Sequence, residues 1–300
     1  MGHSHAGPGT AAGQHKGRLK AALALTAGFM VVEAVGGLLT GSLALVADAA
    51  HMLTDAGGLA MALIAIHFAE RPPTRQKTFG YVRLEILSAL LNAVVLLLLT
   101  IFILYEAVGR LIDPPPVMAG PMLAVALVGL GVNLASMKLL AAGSSESLNV
   151  KGAYFEVMSD MLGSLGVIVA ALVVMFTGWR LADPIIGAGI GLFIVPRTWG
   201  LLRQAVHILM EGTPPEIDVG LLEASIREIP GVRAVHDLHV WTLTSGLDSM
   251  SCHVVIEDMA RARDTLAEIN RRMADRFGLT HTTVQVEDQA LRDAETHRPV

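Results

Sequence analysis

Six long apolar runs, separated by short polar stretches, fill the first two thirds of the chain. A run of roughly 20 apolar residues is long enough to cross a bilayer as a helix. The runs are Leu19–Leu39, Leu43–Phe68, Leu84–Leu111, Met118–Leu140, Gly152–Phe176 and Pro184–Val206. Helix breakers and turn residues mark the gaps: Thr40-Gly41-Ser42, the polar Ala69–Val82 with Pro72 and Pro73, Pro114-Pro115-Pro116, the Ser/Gly stretch 141–150, and Gly178–Asp183. Pro196 predicts a kink in the sixth span. From Glu211 the pattern becomes that of a soluble domain. Leu221–Ile229 reads as a helix, Val232–Thr242 as a strand, Ser249–Glu257 as its hairpin partner, Asp264–Phe277 as a helix and Thr282–Glu287 as a last strand. The expected fold is an all-α six-helix transmembrane domain followed by a small α+β domain of αββαβ order, related to the ferredoxin-like motif. Its divisions are a disordered tail over 1–18, a transmembrane domain over 19–210, a soluble domain over 211–290 and a C-terminal tail over 291–300.

Composition agrees with that picture. The 300 residues are 53% hydrophobic and 16% charged, as in a polytopic membrane protein. A net charge of -5 gives no reason to propose nucleic-acid binding. The single Cys252 excludes an intrachain disulfide and a multi-cysteine zinc cluster. No cleavable signal sequence is visible. Basic residues set the orientation. Lys16, Arg18, Lys20, Arg71, Arg75, Lys77, Arg83, Lys138, Lys151, Arg197 and Arg203 fall on one side of the spans, and only Arg110 and Arg180 lie near the other. The positive-inside rule then places both termini in the cytoplasm.

The chemistry lies in charged residues that a bilayer ought to exclude. An ionisable group there costs several kcal/mol and is usually functional. The second run carries Asp48, His51 and Asp55; the fifth carries Glu156 and Asp160. His51 and Asp55 are four residues apart, as are Glu156 and Asp160, so each pair shares one helix face. One imidazole and three carboxylates make a four-ligand divalent-metal site. Without a cation such a site must take up protons, because like charges in a low dielectric cannot all remain ionised. Metal and protons compete for the same lone pairs, which suits the site to exchanging one for the other. Asp48 either orients His51 by a hydrogen bond or makes a packing bond to a neighbouring span. Glu33 and Asn133 read as structural. Gly163 and Gly166 have the spacing of a close helix contact. In the soluble part, His236 and His253 lie on adjacent expected strands and Glu287 ends the last, so the three converge on one metal or are surface groups. Strand alternation puts Cys252 on the face opposite His253. Arg83 and Glu211 are expected to pair. His3, His5 and His15 either capture metal weakly or are incidental to a solvated tail.

The stretches Ser42-Leu43-Ala44-Leu45-Val46-Ala47-Asp48-Ala49-Ala50-His51-Met52-Leu53-Thr54-Asp55, Phe79-Gly80-Tyr81-x-Arg83-x-Glu85 and Val235-His236-Asp237-Leu238-His239-Val240-Trp241 resemble the cation diffusion facilitator family. The resemblance runs from about Gly17 to Asp288. It implies a homodimeric transporter exporting zinc and related ions from the cytoplasm across the bacterial inner membrane in exchange for protons. It assigns the transport site to His51, Asp55, Glu156 and Asp160. Zinc-selective members usually carry histidine where this chain has Glu156, so this chain looks like the cobalt–zinc–cadmium branch. Lys77 and Tyr81 stand where some members have the histidines of an interfacial site, and no metal is expected there. His236, His253 and Glu287 match metal positions of some relatives, implying a regulatory ion. A membrane-embedded metalloenzyme and a metal sensor without transport are the alternatives. Four protein ligands leave no open position for an activated water, and a sensor would need only the tail.

Overall fold

The computed structural model describes residues 11–53, 57, 68, 71–141 and 148–294. Within its first and fifth helices it describes side chains at 21 and 24–40, and at 154 and 157–177. The helices are α1 (Ala11–Thr40), α2 (Leu43–Leu53), α3 (Leu84–Ile112), α4 (Ala119–Ala141), α5 (Leu148–Thr177) and α6 (Ala182–Leu209). Four described segments are long and apolar enough to cross a membrane: Leu84–Ile112, Ala119–Ala141, Val157–Thr177 and Ala182–Leu209. Ala24–Thr40 and Leu43–Leu53 are shorter apolar helices. The chain divides into two compact units, Met1–Met61 with Leu91–Leu201, and Ala62–Leu90 with Leu202–Val300.

In the first unit, α4 buries Met122, Ala126, Gly129, Asn133, Ser136 and Leu140. Steps of four and three residues put these on one stripe of the helix. Against the stripe lie Phe29 of α1 and, on α5, Val167, Ala170 and Ala171. Gly129 is small because the rim of the Phe29 ring rests against it: a Cβ there would sit 2.6 Å from two ring carbons. Ala44 and Leu45 of α2 join the same core, and Leu43 and Ala47 pack on Ile103 and Ala107 of α3. Gly187 lets α6 approach the backbone of α2, with Leu43 C at 3.1 Å from the position of a Cβ. α6 runs as one helix through Pro196.

In the second unit, α7 (Val219–Arg227) is followed by β1 (Val232–Thr244), β2 (Leu247–Ile256), α8 (Ala262–Phe277), β3 (His281–Glu287) and α9 (Gln289–Ala294). Asp218 caps α7 by accepting from Gly220 N at 2.8 Å and Leu221 N at 3.1 Å, as expected of an aspartate at that position. α8 ends on Gly278 at φ 70, a left-handed position that glycine tolerates best. The sheet order is β1-β2-β3, antiparallel between β1 and β2 and parallel between β2 and β3, with α8 making the crossover. Its core includes Leu222, Ile226, Val235, Val240, Met250, Cys252, Val254, Ile269 and Met273.

The helical membrane domain and the αββαβ order follow the sequence pattern. Two expectations fail at the ends. α1 starts at Ala11, ahead of Leu19 and inside the expected disordered tail. Ala11, Ala12, Gln14 and Lys16 are good helix formers, and they extend an already nucleated helix. The expected C-terminal tail begins inside α9, whose first turn is capped by Asp288 Oδ1 accepting from Leu291 N at 2.7 Å.

Candidate metal centres

In the first unit, α2 carries His51 and α5 carries Asp160. His51 is 9% exposed and Asp160 3%, and Nε2 of the imidazole lies 3.7 Å from Oδ1 of the carboxylate. Two residues 109 positions apart therefore meet on facing apolar helices. Glu156 stands one helical turn before Asp160 on α5; its side chain, like the whole of Asp55, lies outside the described residues. The structure thus brings together one residue from each expected pair.

Asp48 lies deeper, at 1% exposure. Its carboxylate occupies the space that a side chain at Gly163 would need: a Cβ there would collide with Oδ1. Gly163 is therefore small because a polar group of α2 docks on it. Asp48 is within hydrogen-bonding reach of Ser164 and of Glu33, which is itself fully buried. Ser164 Oγ in turn accepts from Asn133 Nδ2 at 3.3 Å. Neither carboxylate oxygen of Glu33, nor Oδ2 of Asp48, receives a donor among the described residues. Two acceptor-only groups side by side bond to one another only through a proton or a cation.

The N-terminal end of α2 is held by a residue that sequence reasoning passed over. Asp183, fully buried near the start of α6, accepts from Ser42 Oγ at 2.5 Å, Leu43 N at 2.7 Å and Ala44 N at 3.2 Å. Its partners are about 140 residues away, so no local pattern announces it. The only local signal was Ser42 itself, an N-cap type just before an apolar run.

In the second unit, His236 and His253 sit opposite each other on β1 and β2, and Glu287 closes β3. His236 Nε2 is 3.2 Å from Glu287 Oε2, and His253 Nδ1 is 2.6 Å from Glu287 Oε1. One ligand atom from each residue falls within 4.8 Å of the other two. Tetrahedral ligands about 2.0–2.2 Å from zinc stand about 3.4 Å from one another, so this donor set needs little movement to hold that ion. Glu287 is fully buried, and Gln285 Nε2 donates to it at 2.9 Å. Asp237, also missed from sequence, reaches both neighbouring histidines: Oδ1 is 3.0 Å from His239 Nε2 and Oδ2 is 3.8 Å from His253 Nε2. The shorter contact is a hydrogen bond to His239, and the longer one leaves the carboxylate as a nearby charge beside the far nitrogen of His253. Cys252 points the other way, into the core, where burial pushes its thiol up to about 12. In this unit Arg83 Nη2 donates to Glu211 Oε1 at 3.0 Å, an exposed pair.

Residues 19–210 match the cation efflux transmembrane domain and residues 214–289 the cation efflux protein cytoplasmic domain. The metal cation efflux system protein CzcD of Cupriavidus metallidurans is 50% identical over 287 residues, 95% of this chain and 90% of that protein. The cadmium, cobalt and zinc/H(+)-K(+) antiporter of Bacillus subtilis is 40% identical, over 97% of this chain and 93% of its own. The zinc transporter ZitB of Escherichia coli is 42% identical over 98% and 95%. A solved metal-bound C-terminal domain of the Cupriavidus CzcD transporter covers 24% of this chain and 99% of its own, at 42% identity and a TM-score of 0.22. Through both of its domains, the chain belongs to the cation efflux family.

Proposed function

We propose that the chain exports zinc, and also cobalt and cadmium, from the cytoplasm in exchange for protons, as a homodimer in the bacterial inner membrane with both termini cytoplasmic. The observation that carries this reading is the buried meeting of His51 and Asp160 on facing membrane helices. Asp55 and Glu156 complete the site by their spacing. An imidazole and carboxylates held in an apolar surrounding bind a divalent cation strongly. They also hold protons once it leaves, because the empty site cannot keep all its charges. Asp48, docked on Gly163 three residues before His51, sets the depth and rotation of that part of α2. His236, His253 and Glu287 hold a regulatory ion, with the Asp237 carboxylate placed as a nearby negative charge beside the ring of His253. The names of the relatives support metal export by antiport. The soluble domain of about 80 residues, marginal alone, supports assembly into a dimer.

Proteoliposomes test the reading. With an acidic lumen and zinc, cobalt or cadmium outside, each ion should accumulate, and collapsing the pH gradient should abolish accumulation. Uptake indifferent to the gradient would overturn the antiport, and absence of uptake would favour a sensor or an enzyme. Oxygen ligands discriminate less among divalent ions than nitrogen ligands do. Glu156→His is therefore expected to narrow the range toward zinc, with cobalt falling most.

A further inference from the structure

At the start of α2, Gly41 turns the chain at φ 72 and Ser42 takes the N-cap, its Oγ accepting from Leu45 N at 3.2 Å. That leaves the amides of Leu43 and Ala44, in the first turn, without a partner from their own helix. Both donate to Asp183 on α6, at 2.7 and 3.2 Å, and the Ser42 hydroxyl donates to the same carboxylate at 2.5 Å. Asp183 is therefore a capping group supplied by another helix. Its charge faces the positive end of the α2 dipole. Arg110 of α3 stands behind it. Nη1 lies 3.8 Å from Asp183 Oδ2 and donates to Gly41 O at 2.5 Å, while Nε donates to Glu106 at 3.0 Å. One buried carboxylate thus ties three helices to a single point. Its position is further narrowed by Gly187, which brings the α6 backbone against Leu43 and Ala44. His51 lies on the same α2 helix, about 12 Å further along at 1.5 Å per residue.

We propose that Asp183, backed by Arg110, is a positioning residue for metal transport: it pins the N-terminal end of α2 and so sets the depth at which His51 meets Asp160. The proposal rests on the transport reading above. A side chain that only stabilised the fold would, when altered, lower the amount of folded protein and leave each folded molecule's metal affinity unchanged. A positioning residue changes the affinity.

The test uses the full chain in proteoliposomes, with zinc as the probe, comparing wild type with Asp183→Asn, Ser42→Ala and Ser42→Thr. Rates are normalised to folded protein, and hydrogen exchange of the first turn of α2 is followed in the same samples. Asp183→Asn should speed exchange at Leu43 and Ala44 and raise the KM for zinc about tenfold, the lower end of what is lost when a group that orients a ligand is removed. Turnover at saturating zinc should change much less. Ser42→Ala, which keeps the carboxylate, should shift both readouts in the same direction by a smaller amount. Ser42→Thr keeps the hydroxyl and should match wild type. Unchanged exchange in both Asp183→Asn and Ser42→Ala overturns the anchor. Faster exchange with an unchanged KM overturns its role in positioning. If wild type itself moves no zinc, the transport reading has failed instead, and the exchange data alone still decide whether Asp183 anchors α2.

Discussion

Replacing Glu287 by glutamine keeps the shape of a fully buried side chain and removes its charge. In the structure that carboxylate faces His236 at 3.2 Å and His253 at 2.6 Å, and it is the only anion of the three-residue cluster. A metal that binds the folded domain stabilises it by mass action, by about 2.7 kcal/mol when the free ion is at 100 times its dissociation constant. For a domain of about 80 residues each kcal/mol moves the melting temperature by about 4–8 °C, so zinc should raise it by about 11–22 °C. If glutamine weakens binding about 100-fold, the same zinc concentration only equals the dissociation constant. The stabilisation then shrinks to about 0.4 kcal/mol, or about 2–3 °C. The metal-free variant should itself melt somewhat lower, since charge-assisted hydrogen bonds to two imidazoles become neutral ones, a difference of about 1 kcal/mol. Thermal melts of the segment from Glu211 onward, with and without zinc, read both effects. That segment contains the whole of its own core, from Ile217 to Leu279. An equal zinc-induced rise in wild type and Glu287→Gln would refute the assignment of this cluster as a metal site.

Four further outcomes are expected. Asp160→Ala, and likewise Asp55→Ala, should abolish metal transport while the protein stays folded in detergent; near-normal rates in either would remove that residue from the transport site. Gly163→Ala drives a Cβ into the Asp48 carboxylate, at a cost of about 1–3 kcal/mol for overpacking, and should slow transport, whereas Gly131→Ala, with open space around it, should not. Reversing Arg83 or Glu211 singly should cost no more than about 1 kcal/mol at so exposed a pair, and reversing both should recover most of that loss; strictly additive losses would show that the pair is uncoupled. Between the ordinary thiol value of 9.0 and about 12, unfolded chain gives up the Cys252 proton while folded chain keeps it. Stability should then fall with rising pH by up to about 1.4 kcal/mol per unit, and Cys252→Val should flatten that slope.

The apolar runs showed the helices, because a bilayer demands length and low charge, and both are local properties of a sequence. His51 and Asp160 stood out for the same reason: each is costly where it lies. Asp183 did not stand out, because it sits at a helix start beside a loop, where an aspartate is ordinary. Only its long-range partners reveal that it is fully buried and caps another helix. The alternation of Val232–Thr242 displayed a strand but not the parallel partnership of β2 and β3, since a crossover through a helix leaves no mark on either strand. Gly163 was legible as a small residue at a contact, yet what it makes room for, the Asp48 carboxylate, depended on the packing of two helices.

Asp237 adopts a left-handed backbone, φ 50, at a register shift between His236 and His239. His236 pairs with His253 and His239 with Ser251, so β1 holds one residue more than β2 in that interval. Strand neighbours alternate faces, and residues five apart belong on opposite sides. Val235 and Val240 nevertheless share the core, because the extra residue resets the alternation. Asp237 is thus an insertion that the sheet absorbs. Excising it would close the ladder between His236 and His239, with the histidines and valines on the faces they already occupy. The sheet gains nothing from a conformation that costs an ordinary residue about 1 kcal/mol. What the insertion adds is a carboxylate held against His239 and His253. A shortened strand lacking Asp237 should therefore fold as well as the natural one, or better, and yet bind its metal less tightly.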